Sequence, residues 1–262
     1  MGRKMSRIHQ AFENHKAFIA FITVGDPDLA TTEKVVHAAV EGGADLIELG
    51  IPFSDPTAEG PVIMEADNRA LAGGTTTDDV FALTKKLRET IDIPMVYMTY
   101  ANVVFSYGTE KFMQKAADAG IDGLILPDVP YEEKEDFDPL ATKYGLDLVS
   151  MIAPTSENRI AMIAKEAKGF VYMVSSLGVT GTRASITTDI GAMTKLVKAN
   201  TDIPCAVGFG ISTPEQAKKM AALSDGAIVG SAIIKLLAEY GRDAAGPVKE
   251  YVKSMADAAH SA

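Results

Sequence analysis

The amino-acid sequence predicts an α/β fold: a single TIM (β/α)8 barrel over residues 1–262, with an extra N-terminal helix and long βα loops 2 and 6. Three observations predict it. Eight short apolar runs recur along the chain, separated by helix-like amphipathic segments. The runs are nearly continuously hydrophobic rather than alternating, as strands covered on both faces are. A glycine-bearing entry repeats ahead of several of them, in "EGGADLIELG", "DAGIDGLILP", "KYGLDLVSM" and "LSDGAIVG". Glycine ending a helix before a short step into a buried strand accounts for that repeat. Strands and helices alternating in this number close a parallel barrel. An open doubly wound sheet is the competing arrangement, but no G-x-G-x-x-G follows the first run.

Taken in order, the N-terminus "MGRKMSRIHQAFENHKAFIAFITVGDP" holds no apolar run long enough for a signal peptide or membrane span. Met1–Ser6 fits the loose myristoylation pattern; the plainer reading is a start before an amphipathic helix with Ile8 and Phe12 on its apolar side. The runs are Phe18–Thr23, Asp45–Gly50, Met95–Tyr100, Gly123–Asp128, Asp147–Ala153, Phe170–Ser176, Cys205–Gly210 and Gly226–Ser231. Stretches between them, such as "TTEKVVHAAVEGG" and "PEQAKKMAALS", have helical spacing and Thr, Ser or Pro start signals. Two connections, Ile51–Gly74 and Ser175–Gly191, are too long for simple loops. Both leave the C-terminal face, where barrel enzymes keep their active sites, so both are candidate lids.

Composition narrows the function. The chain has 262 residues, 47% apolar and 23% charged, an ordinary soluble balance. A net charge of −10 argues against nucleic acid or an anionic membrane as the main partner. The one cysteine, Cys205, excludes an intrachain disulfide and suits a reducing, cytoplasmic setting.

Elimination narrows the chemistry. No Lys stands at a strand end, so a Schiff-base aldolase lacks its nucleophile. His9, His15, His37 and His260 fall in predicted helices or the tail, so no metal triad is expected at the barrel mouth. Cys205 begins its strand, the wrong end for a nucleophile. There remain the carboxylates Glu48, Asp55, Glu59 and Asp128, with Tyr100, Tyr172, Asn102 and glycine loops. Such a set suits acid–base catalysis without metal or covalent intermediate.

Glu48 is the sharpest signal, because "DLIELG" is otherwise a greasy strand. Leu46 and Glu48 share a face that looks into the barrel. Desolvation there raises a carboxyl pKa, as an acid–base group needs. The plainer alternative is a buried Glu paired with a neighbouring donor. Glu59 lies in "DPTAEGP", between prolines that stiffen its loop. Asp55 and Asp128 also sit beside Pro, where an acid either caps a helix or meets a ligand or partner. "GFGIS" and "GSAI" end the seventh and eighth runs. Each brings backbone amides to a helix N-terminus where an anion such as phosphate can sit, unless the glycines serve only tight turns. "GVTG" at 178–181 supplies a further amide or hinge.

With these residues in place, the chain resembles the tryptophan synthase α-subunit family along essentially its whole length. The motifs "AFIAFITVGDP", "ELGIPFSDPTAEGP", "YANVVFSYG", "LILPDVP", "YMVSSLGVTG", "GFGIS" and "GSAI" stand in the family's order and spacing. The resemblance implies a lyase that splits indole-3-glycerol phosphate into indole and glyceraldehyde 3-phosphate. It implies Glu48 as the general acid–base, Glu59 on the indole N–H, and Tyr172 beside the catalytic acid. It further implies an indole pocket of Phe21, Met98, Ile125 and Phe209. The phosphate site would be Gly181, Gly210, Gly230 and Ser231, with Thr180 as the lid residue. Pro52, Asp55, Asn102, Phe105 and Asp128 would meet a β subunit in an α2β2 heterotetramer. That partner receives the indole and carries the pyridoxal phosphate; no cofactor is implied for this chain. One departure is that well-known members have Asp where this chain has Glu59. The absence of Trp suits an enzyme needed when Trp is scarce.

Two other readings compete. A different phosphate-binding barrel, such as indole-glycerol-phosphate synthase or phosphoribosylanthranilate isomerase, is one, though the synthase needs a Lys at a strand end. A catalytically feeble subunit that only activates a partner is the other.

Overall fold

The computed structural model describes residues 6–175, 181, 189–208 and 210–262. Nine strands, all parallel, form one sheet: β1 (Ala17–Thr23), β2 (Leu46–Gly50), β3 (Met95–Met98), β4 (Gly123–Ile125), β5 (Asp147–Leu148), β6 (Ser150–Ile152), β7 (Val171–Val174), β8 (Cys205–Gly208) and β9 (Gly226–Val229). Their order is β5-β4-β3-β2-β1-β9-β8-β7-β6. The two end members, β5 and β6, are adjacent pieces of one predicted run, parted only at Val149. Val149 donates its N–H to the Leu124 carbonyl at 2.8 Å, so the chain itself carries the sheet round. The expected eight-stranded barrel is therefore present, its fifth strand broken in two. Every strand residue is buried except Met151, which is half-buried, as the unbroken apolar runs require.

The helices around the sheet are α1 (Leu29–Glu41), α2 (Pro61–Ala72), α3 (Thr77–Leu87), α4 (Ala101–Tyr107), α5 (Thr109–Ala119), α6 (Asp138–Lys143), α7 (Glu157–Lys165), α8 (Ile190–Lys198), α9 (Pro214–Leu223), α10 (Ser231–Tyr240) and α11 (Ala245–His260). Their starts follow the sequence signals. Asp28 accepts the Thr31 N–H at 2.8 Å and caps α1. Thr76 with Asp79, and Thr213 with Gln216, form reciprocal capping boxes on α3 and α9. Pro61 and Pro214 open α2 and α9, where a missing N–H costs nothing.

Three expectations change. Ile51–Gly74 is not one long loop: only 51–60 is irregular, and α2 occupies most of the rest. The N-terminal helix is a 3₁₀ stretch, Arg7–Phe12. It still closes the lower end of the barrel: Ile8 is fully buried, and its Cδ1 stands 3.0 Å from where a Cβ on Gly123 or Gly169 would lie. His15 sits in a bend ahead of β1 rather than in a helix. In the sixth connection, 176–180 and 182–188 lie outside the described residues.

The lower rim is also held by Arg88, just past α3. Its guanidinium donates to the carbonyls of Gly120, Ile91 and Ile93 and to the Asp122 carboxylate at 2.8–3.0 Å. One side chain thus satisfies three backbone acceptors and a mostly buried acid.

Candidate active site

A cavity opens at the C-terminal ends of the strands. Glu48 on β2, Phe21 opposite it on β1, Met98 on β3 and Tyr172 on β7 line it, with Glu59 from the loop after β2. Gly181, Gly210, Gly230 and Ser231 complete it from the later connections. The structure thus brings together residues that the sequence scatters over 21–231. Ile63, Ile211 and Ile228 line it too. Sequence reasoning missed them, since as apolar residues in apolar stretches they carry no signal of their own.

Glu48 is completely buried, and neither carboxylate oxygen has a hydrogen-bond partner among the described residues. Burial pushes its pKa from the ordinary 4.5 up to about 8. The alternative of a structurally paired Glu finds no partner among those residues. A carboxyl there is protonated near neutral pH yet close to releasing the proton, which suits both halves of a proton transfer. Tyr172 is buried beside it; burial, and then the charge of Glu48, drive its hydroxyl well above the usual phenol range. Gly208 makes room for the Tyr172 ring, because a Cβ there would stand 2.4 Å from the hydroxyl oxygen. A glycine within the seventh run, read above only as part of an anion loop, is thus needed for packing.

Glu59 is 8% exposed. Its pKa is raised by burial, while bonds from Asp67 and Tyr100 work against the rise. Its Oε2 has no partner among the described residues. The loop that carries it is anchored on Tyr100, whose hydroxyl accepts the Ala58 N–H at 3.1 Å and whose ring lies 5.4 Å from that of Phe53.

On the opposite wall, Gly230 precedes α10 and Ser231 is its first residue. The first turn of a helix leaves its N–H groups without intrahelical acceptors, and the helix dipole adds partial positive charge there. A Cβ on Gly230 would approach Phe21 to 3.2 Å, so this corner admits backbone and little else. The arrangement can hold an anion at one end and protonate or deprotonate an apolar group at the other.

The family model described as "Tryptophan synthase alpha chain" matches residues 8–261. The chain belongs to the tryptophan synthase alpha chain family. It is 49% identical over 258 residues to the tryptophan synthase alpha chain of Caldanaerobacter subterraneus subsp. tengcongensis, covering 96% of this chain and 98% of the relative. To that of Lacticaseibacillus casei it is 47% identical over 251 residues, covering 96% and 94%. The crystal structure of tryptophan synthase subunit alpha from Legionella pneumophila superposes with a TM-score of 0.89 at 38% identity, covering 99% of this chain and 100% of that one. The family's reaction is cleavage of indole-3-glycerol phosphate, a lyase step in tryptophan biosynthesis, and pyridoxal phosphate belongs to its beta chain.

Other expected site residues fall elsewhere. Ile125 is fully buried at the end of β4, in register with Met98, but does not line the cavity. Phe209 and Thr180 lie outside the described residues. Asp55, Asn102 and Asp128 are exposed, and Phe105 is 53% exposed with its ring on buried Phe137. Pro52 is buried. Asp128 accepts the Ala101 N–H with both oxygens, at 3.0 and 3.1 Å, and so caps α4. Of the two roles left open for it, that one is made here. Asp55 accepts from the Ser54 hydroxyl.

Among the described residues, one group has metal-ligand composition: His15, Asp45 and His260. It lies at the N-terminal end of the barrel, away from the cavity. Also among the described residues, no helix is long and apolar enough to cross a membrane.

Proposed function

We propose that this cavity is where the chain itself cleaves indole-3-glycerol phosphate, with Glu48 as its acid–base residue. The observation that carries the reading is a wholly buried carboxyl without a partner among the described residues, facing a cavity whose far wall is a helix N-terminus. The phosphate binds at Gly181, Gly210, Gly230 and Ser231, and the indole ring lies against Phe21 and Met98. Protonated Glu48 gives its proton to indole C3, and the ring becomes an indoleninium. The Glu48 carboxylate then takes the proton of the glycerol hydroxyl next to C3. The O–H electrons form the aldehyde C=O, the C–C bond breaks, and its pair restores the aromatic indole. One proton leaves Glu48 and one returns, so the cycle closes.

Glu59 accepts from the ring N–H and offsets the positive charge that develops there. Tyr172 packs beside Glu48 and keeps water from it. Proton transfers alone carry this sequence, so it assigns no metal ligand. Asp55, Asn102, Phe105 and Asp128 form the exposed part of the surface that meets a beta chain in an α2β2 assembly, with Pro52 beneath. The beta chain takes the indole, and both work in the cytoplasm.

Indole release from indole-3-glycerol phosphate, by the purified chain alone and with a tryptophan synthase beta chain, tests the reading. Slow cleavage alone, accelerated by the partner and lost in Glu48→Gln, is the expected result. Equal cleavage by wild type and Glu48→Gln would overturn the assignment of Glu48. A chain that binds substrate and cleaves none under either condition would overturn the function.

A further inference from the structure

Helix α2 buries Ile63, Ala66, Asp67 and Ala70, the spacing of a single helical face. An aspartate therefore occupies a core position in an otherwise apolar stripe, 4% exposed. No part of the sequence reading singled it out. Its side chain takes the backbone N–H of Phe53 and is hydrogen-bonded to the carboxyl of Glu59. The two ends of the loop over 51–60 are thereby tied to one residue of the helix that follows.

The nearby cation is already used. Arg69 spends its fork on Asp26, with Nε and Nη2 at 2.7 and 2.8 Å from the two carboxylate oxygens. Asp67 thus faces Glu59, and more distantly Asp26, with no cation bonded to it among the described residues. Two buried carboxyls in hydrogen-bond contact need a proton between them, because two anions at that distance repel strongly. Burial first, then the charge of Glu59, push Asp67 up to about 9. Burial raises Glu59 as well, but its bonds from Asp67 and Tyr100 work against that rise, and no bond does so as strongly for Asp67, so of the two Asp67 is the one that holds the proton. Its Oε2 is the atom left over.

We propose that Asp67 is a positioning residue for the loop acid: it keeps the shared proton, donates it to Glu59, and so presents Glu59 to the cavity as an anion with one free oxygen aimed at the ring N–H. The inference rests on the reading of Glu59 as the acceptor of that N–H. Asp67 itself never touches the substrate. Without its proton, Glu59 would take one from solution and lose the charge that offsets the indoleninium. Without its bond to the Phe53 N–H, the loop would lose its tie to α2.

Amide and apolar replacements separate these roles. An Asn at 67 has one acceptor for the Phe53 N–H and a permanent donor for Glu59, so it imitates the neutral acid. Leu fills the same place in the apolar stripe and donates nothing. The experiment measures kcat and KM for indole-3-glycerol phosphate cleavage, with melting temperature, for wild type, Asp67→Asn, Asp67→Ala, Asp67→Leu and Glu59→Gln. Asp67→Ala and Asp67→Leu are expected to lose about 10- to 100-fold in kcat with KM within about threefold, since the lost interaction matters in the transition state. Asp67→Asn is expected to recover kcat to within about fivefold of wild type. Asp67→Leu keeps the apolar stripe filled and is expected to fold with a melting temperature within several degrees of wild type, which keeps the test valid should Asp67→Ala fail to fold.

Wild-type kcat in folded Asp67→Leu would overturn the inference, as would an Asn variant no better than Leu, which would mean that an anion is required at 67. Glu59→Gln with wild-type kcat would instead remove the reading of Glu59 on which the inference rests. A slow Glu59→Gln beside an unimpaired Asp67→Leu would remove the inference alone.

Discussion

A Cβ added to Gly208 would lie 2.4 Å from the hydroxyl oxygen of Tyr172 and 2.6 Å from its ring. The glycine on β8 and the tyrosine on β7 are one packing unit, and the ring wall beside Glu48 exists because residue 208 has no side chain. Gly208→Ala should therefore push the ring toward Glu48. We expect kcat for cleavage to fall at least about tenfold and stability to drop by about 1–3 kcal/mol, the usual effect of overpacking a core. Pairing it with Tyr172→Phe, which removes the atom in closest conflict, should recover part of the stability. Denaturant unfolding and steady-state kinetics of the three variants check this.

Glu48 gives a pH-dependent stability with a definite sign. Its pKa in the fold is raised from 4.5 to about 8, so the native state binds the proton more tightly than the unfolded chain does. The full stability is present below 4.5 and is lost as pH rises towards 8. Glu48→Gln cannot ionise and escapes that loss. Relative to wild type, the variant should gain up to about 1.4 kcal/mol per pH unit across this window, and nothing at its acid end. Urea unfolding of both proteins at several pH values measures the difference; parallel curves would contradict it.

Ser231→Asp should separate binding from folding at the start of α10. An acid in the first turn complements the helix dipole, which offsets part of the cost of charging a position only 8% exposed, so the variant should still fold, with a melting temperature within a few degrees of wild type. The same charge repels a phosphate bound there, and KM for indole-3-glycerol phosphate should rise by at least about tenfold. An unchanged KM would place the phosphate elsewhere.

Arg88→Ala removes four hydrogen bonds at once from the lower rim. Three carbonyls and the Asp122 carboxylate are left without that donor, while Arg7 reaches Asp122 only at 3.6 Å. A loss of about 2–4 kcal/mol is expected, with kcat of the surviving folded enzyme unchanged, because the site is at the far end of the strands. Chemical denaturation beside kinetics at low temperature tests both halves.

Much of this was legible in the sequence, for identifiable reasons. Parallel strands covered on both faces must be apolar throughout, so runs such as Phe18–Thr23 and Cys205–Gly210 marked themselves. Glu48 stood out for the same reason, as a charge where none belongs. The break at Val149 was not legible, since "DLVSMIA" reads as one unbroken apolar run. Nor was α2 separated from its loop, although Pro61 and the spacing Ile63, Ala66, Ala70 offered a start signal and a face. Asp67 broke that face as plainly as Glu48 broke its strand. It was passed over because an acid within a helix is ordinarily taken as solvent-facing.

The seat of Ile8 has a consequence in time. Its Cδ1 lies against both Gly123 and Gly169, so the pocket for this residue is finished only after some 160 more have been made. On the ribosome, this segment must wait as exposed apolar chain while the wall that receives it is still being synthesised. That interval gives a chaperone, or a second unfinished copy, an opportunity to bind at the lower end of the nascent barrel.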